Sequence, residues 1–162
     1  MMLEAIQYIR RAILQRLEGQ VLVNGSAVPV YGRVPNDATF PHIRVYSVSN
    51  NEIDQNAQTY TMEILTRIEC ITRYASDDGG ETDVNFMASK CLELLRTRSA
   101  GYFDLSAVGF NVYTSVNEGV TYLQDDLSDR TYFRAIIELS NRVEQVPPSG
   151  GLQSELQNNL QS

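Results

Sequence analysis

The sequence predicts an α/β domain of the α+β kind: a mostly antiparallel β-sheet packed against two α-helices, with a β-hairpin and an extended C-terminal tail. Three observations predict it. Two segments space their apolar residues by three and four, as helices do. Several others alternate polar and apolar residues or cluster β-branched ones, as strands do. The chain closes on a proline- and glycine-rich break followed by polar residues. At 162 residues, 43% of them hydrophobic, the chain suits one domain with a core of ordinary size. The expected division is residues 1–144 for the domain and 145–162 for the tail.

Leu3, Ile6, Ile9, Ile13, Leu14 and Leu17 fall on one face of a first helix that ends at Gly19. In QVLVNGSAVPVYG, Asn24-Gly25 separates two short β-branched runs and accepts the positive φ of a tight hairpin turn. The same residues match a glycosylation acceptor, but Glu4, Arg10 and Arg11 interrupt any signal peptide, so the turn reading is preferred. The loop RVPNDATFPHIR follows. Pro35 and Pro41 hold Val34 and Phe40 extended and remove two backbone donors, which makes the segment a stiff connector delivering Phe40 and the next strand at a fixed angle.

Residues 42–49 and 59–73 read as strands joined by a protruding polar loop, residues 50–58. The second strand sets Tyr60, Met62, Ile64, Thr66, Ile68 and Cys70 on one side and the wetter Thr61, Glu63, Leu65, Arg67, Glu69 and Ile71 on the other. After ASDDGGETD, the residues Val84, Met87, Ala88, Cys91, Leu92 and Leu95 keep helical spacing, and Arg96 and Arg98 complement the dipole at that helix's end. Residues 108–115, 119–124 and 130–143 form the last strands. The third sets Phe133, Ala135, Ile137 and Leu139 against Tyr132, Arg134, Ile136, Glu138 and Ser140. In the tail, Leu152, Leu156 and Leu160 recur every fourth residue but have nothing of their own to pack on.

Charge and chemistry narrow the function classes. With 13 Lys+Arg against 20 Asp+Glu, a net charge of -7 disfavours a phosphate-gripping protein. No apolar run approaches the roughly 20 residues of a membrane span. Cys70 and Cys91 read as buried free thiols rather than a disulfide or metal site. The one histidine, His42, has no nucleophile motif around it and reads as a packing or hydrogen-bonding residue. Gly79-Gly80 precedes a helix, yet Asp77, Asp78 and Glu81 surround it with negative charge and no phosphate-loop lysine follows. Asp77-Asp78 and Asp125-Asp126 lack the alternating ligands of a calcium loop and read as solvated turns. No catalytic residue, metal site or cofactor is expected, and binding or architecture is favoured over catalysis.

The order of elements, with VYGRVPNDATFPHIRVYSV leading into the first long strand, resembles the tail terminator, or tail completion, proteins of tailed bacteriophages. The likeness covers residues 1–144, and its most specific part is Tyr31, Val34-Pro35 and Phe40-Pro41 before a strand. His42 stands where an aromatic is more usual, and the leucine-spaced tail lies outside the pattern. The resemblance implies a non-enzymatic virion protein, assembled in the host cytoplasm. It implies a homo-oligomeric ring, usually of six, that caps the tail tube protein and meets the head-proximal neck protein while DNA passes through without specific binding. Val34, Pro35, Phe40, Pro41, Leu152, Leu156 and Leu160 are then the contact candidates. Asp77, Asp78, Glu81, Asp125 and Asp126 are candidates for a channel lining that repels DNA. The rival readings are another neck or head-completion connector, also a ring former, and a small cytoplasmic enzyme with a dispersed site.

Overall fold

The computed structural model describes residues 5–55, 60–76, 78–96 and 103–145, and it is an α+β fold. In chain order the elements are α1 (Ile6–Leu17), β1 (Leu22–Val23), β2 (Ser26–Ala27), β3 (Val30–Tyr31), β4 (His42–Gln55), β5 (Tyr60–Ala75), α2 (Thr82–Leu95), β6 (Phe110–Val112), β7 (Val116–Asp126) and β8 (Arg130–Gln145). The small β1-β2 hairpin turns at Asn24 and Gly25, with φ 53° and 80°, both in the left-handed region that the sequence anticipates for this pair. All other strands form one sheet in the order β3-β4-β5-β8, beyond which β6 and β7 share the far side of β8. Among the described residues only β3-β4 is parallel. The expected mostly antiparallel sheet with two helices is therefore present.

The centre is the β5-β8 ladder, antiparallel and unbroken from Tyr60↔Gln145 to Ala75↔Arg130. Because side chains alternate across a strand, this register sets Ile68 opposite Ile137, Cys70 opposite Ala135 and Thr66 opposite Leu139, all fully buried beneath the helices. Over them lie Ile9, Ile13 and Leu17 of α1 and Val84, Met87, Ala88, Cys91 and Leu95 of α2. Each large aliphatic side chain so covered contributes about 1.5–3 kcal/mol relative to exposure, so the helices are held by their apolar faces rather than by caps. Neither helix has a side-chain N-cap bond. Cys70 and Cys91 are free and buried, as expected. The Cys91 thiol and burial together push the Cys70 thiol well above the ordinary range, so the Cys70 sulfur is not poised as a nucleophile.

Three expectations are corrected. Residues 50–55 are not loop: β4 continues to Gln55, with irregularities between Ser47 and Ser49 and between Glu52 and Asp54 that let polar residues remain in the ladder. Residues 108–115 are not one strand. A 3-10 turn (Ser106–Val108) precedes the three-residue β6, and residues 113–115 kink the chain before β7. Tertiary bonds hold this kink: Asn141 Nδ2 donates to Thr114 O at 3.0 Å, the Arg142 amide donates to Thr114 Oγ1 at 2.8 Å, and Ser115 Oγ donates to Leu95 O at 3.1 Å. Finally, Asp125 and Asp126 are the last residues of a strand rather than a free turn. Leu3, Asp77 and the tail leucines lie outside the described residues.

Gly79 has φ +84°, and a Cβ there would overlap the Tyr74 ring, whereas a Cβ on Gly80 meets nothing within 4 Å. Gly79→Ala is expected to lose about 1–2 kcal/mol from the backbone alone, with a further loss from the ring, while Gly80→Ala stays near neutral. Urea unfolding of the two variants measures the difference.

Candidate interaction surfaces

The strand register gathers sequence-distant groups at one end of the sheet. Ala75 ends β5 opposite Arg130, and Asp126 lies opposite Thr131, so the turn after β5 and the β7-β8 hairpin are neighbours. Asp78 and Glu81 on the first, and Asp125, Asp126 and Asp129 on the second, make this end acidic. The turn is built rather than slack. Asp78 Oδ1 accepts from the Gly79 amide at 2.8 Å, and the Tyr74 hydroxyl beneath it donates to Asp83 Oδ2 at 2.9 Å. Asp126 accepts from Gln124 Nε2 at 3.1 Å. Asp125 Oδ2 lies 3.2 Å from Arg134 Nε, a charge contact not aligned as a hydrogen bond, so its charge is partly neutralised within the chain.

The proline-bounded loop arrives at the same end, since His42 pairs with Ile71 near the close of β5. Phe40 is half-buried: its ring centroid is 4.6 Å from that of His42 and 5.7 Å from that of Tyr132, and the Arg73 guanidinium sits 4.4 Å above it. His42 is buried, and its Nδ1 donates to Thr39 O at 2.9 Å, which fixes the ring beside Phe40. The Ala38 amide donates to Pro35 O, closing a turn inside the loop. Phe40 and Pro41 thus anchor the loop to its own domain, while Pro35 is exposed and Val34 half-buried. The structure brings Phe40, Pro41, Asp78, Glu81, Asp125 and Asp126 to one end of the fold, with Val34 and Pro35 on the loop that leads to Phe40.

The side of the sheet away from the helices carries a ladder of ion pairs: Arg67-Glu138 at 2.9 Å, Arg134-Glu69 at 3.1 Å and Arg142-Glu63 at 3.3 Å. These charges alternate visibly along each strand, but which meets which follows only from the register.

Two sheet edges were not foreseen as a site. Among the described residues, β4 has no strand on its outer side beyond Arg44, and β7 has none along its length. Large apolar side chains stand exposed on both: Val48 and Ile53 on β4, and Val116, Tyr122 and Leu123 on β7, with Leu127 just beyond. A sequence signal existed in VTYL, where three consecutive strand-forming residues carry no charge, but it does not say which strand is outermost. No group of three or more His, Cys, Asp or Glu among the described residues is placed to hold a metal ion. No helix among them is long and apolar enough to cross a membrane. No protein-family model matches the chain, and no curated protein matches it.

Glu69 has only 6% of its side chain exposed, so Arg134→Ala strands a buried carboxylate and is expected to lose about 1–3 kcal/mol. Arg142→Ala, from a pair with 51% and 38% exposure, should lose less than about 1 kcal/mol by denaturant melts. Burial first and the bond to Asp83 second raise the Tyr74 phenol above the ordinary tyrosine value. A raised value stabilises the neutral form, so its contribution is complete below about pH 10 and is lost as pH rises through the folded pKa. Asp83→Asn is expected to lower the tyrosinate titration of this residue, read by the absorbance lost from Tyr74→Phe.

Proposed function

We propose that the chain is a ring-forming structural subunit of a tailed-bacteriophage virion, of the tail terminator kind, which caps the tail tube and joins it to the head-proximal neck. The observation that carries the reading is the pair of open edges on opposite sides of one sheet. β4 and β7 run in opposite directions, because β5 and β8 lie between them and each neighbouring pair is antiparallel. An identical copy rotated about an axis along the strands therefore offers its β4 edge to the β7 edge of the first in antiparallel sense. Such a head-to-tail contact repeats without a two-fold axis, and a suitable rotation closes it into a ring. The exposed apolar side chains on both edges supply burial for that contact.

In this reading the strands run along the ring axis, so the acidic end forms one rim of the opening that DNA enters or leaves. Its carboxylates act only over about 8 Å at physiological salt, so they repel a duplex that passes close without binding it. Phe40 and Pro41 hold the adjoining loop in place, and the exposed Pro35 and half-buried Val34 present it to the tube or neck partner.

Native mass measurement of the full chain, alone and with tail tubes, is expected to give a closed oligomer of six. Tyr122→Lys with Leu123→Lys should return monomer with an unchanged unfolding midpoint, since both side chains are exposed in the single copy. Monomer at every concentration, with and without tubes, sinks the ring. In the virus itself, loss of the chain should give overlong tails without heads. Tails of normal length detached from heads assign it instead to the adjacent neck position, and normal particles exclude both.

A further inference from the structure

At the end of the sheet opposite the acidic turns, a groove of about 400 Å³ runs between the outer side of α1 and residues 103–108. Its floor is apolar, formed by Tyr8, Ala12, Leu105, Val108 and the buried Phe103, over whose ring the Arg16 guanidinium lies at 4.8 Å, and Arg11 stands exposed on its rim. Asp104, also on the rim, is engaged locally by the amide and hydroxyl of Ser106 at 3.1 and 2.7 Å. β8 leaves the sheet beside this groove. Gln145, its last residue, pairs with Phe110, and the Phe110 ring lies 6.0 Å from that of Tyr8 in the groove wall.

We propose that the groove is the docking site for the C-terminal segment of the same chain, with Leu152, Leu156 and Leu160 entering it as one face of a short helix. Three facts fit this occupant. Residues 146–151 reach about 20 Å when extended, enough to pass from Gln145 over the groove wall. The span from Leu152 to Leu160 is about 12 Å as a helix, and the stretch of α1 from Tyr8 to Arg16 that lines the groove has the same length. Residues 146–162 contain one charged side chain, Glu155, whose sign complements Arg11. Leucines four apart stack on one helix side, so a segment too polar to fold alone gains an apolar surface that the domain leaves half-open. The proposal is independent of the ring, because it concerns one copy and the opposite end of the sheet.

Paramagnetic broadening in the full chain tests it, with a nitroxide attached at Gln157→Cys and the buried Cys70 and Cys91 left in place. The expected result is loss of the Ala12 and Leu105 amide signals. Their return is expected when Leu156→Asp is added, but not when Ser154→Asp, on the opposite helix side, is added. Unbroadened Ala12 and Leu105 signals overturn the proposal, as does equal recovery with both substitutions. Broadening that appears only when isotope-labelled chains without nitroxide are mixed with spin-labelled ones also overturns it, and assigns the groove to the tail of a second copy.

Discussion

The pairing of β5 with β8 is the constraint on which the rest depends. Sixteen residues of each strand run antiparallel without a register shift, so every side chain of one is committed to a face by its partner on the other. The helix-facing side is closed by aliphatic residues and the two buried thiols. The other side keeps its charges because the same register matches Arg67 with Glu138 and Glu63 with Arg142. A slip of one residue would drive these charges under the helices and expose Ile68 and Ile137. The desolvation cost of several charged groups is far above the stability of any domain this size, so no alternative register competes.

From this ladder the ends of the molecule acquire their characters. The chain enters and leaves β5 and β8 at opposite ends of the sheet, so whatever the connecting turns contain collects there. Aspartates near residues 78 and 126, almost fifty positions apart, become neighbours for that reason alone. The aromatic cluster of Phe40, His42 and Tyr132 belongs to the same end because β4 starts level with the close of β5. At the far end, β6 ties Phe110 to the last residue of β8 and thereby brings the chain's exit to the groove beside α1.

The open edges are the other consequence. A sheet whose two outer strands carry exposed Val, Leu and Tyr invites pairing with another chain, and the bulges in β4 and β7 limit which partner fits. Gly119, with φ 152°, stands where the β7 register shifts, so the ladder there is interrupted. A ladder interrupted in this way is a poorer template for indiscriminate strand addition than a regular edge.

By itself the sequence determined the local elements, because their causes are local. The three-four spacing from Ile6 to Leu17 and from Val84 to Leu95 makes one-sided helices, Asn24-Gly25 supplies positive φ for a two-residue turn, and alternation from Tyr60 to Cys70 and from Phe133 to Leu139 marks the core side of each central strand. It determined as well that Cys70 and Cys91 are buried thiols and that His42 is a packed, hydrogen-bonded ring. What only the tertiary structure decided is pairing. The extension of β4 to Gln55 through polar residues, the break of residues 108–115 into a turn and a kink, and the place of Asp125 inside a strand all come from hydrogen bonds and ion pairs to β5, β8 and α2. No periodicity within a single segment encodes these contacts. Which strands lie outermost was hidden for the same reason: an edge is defined by the neighbour a strand lacks.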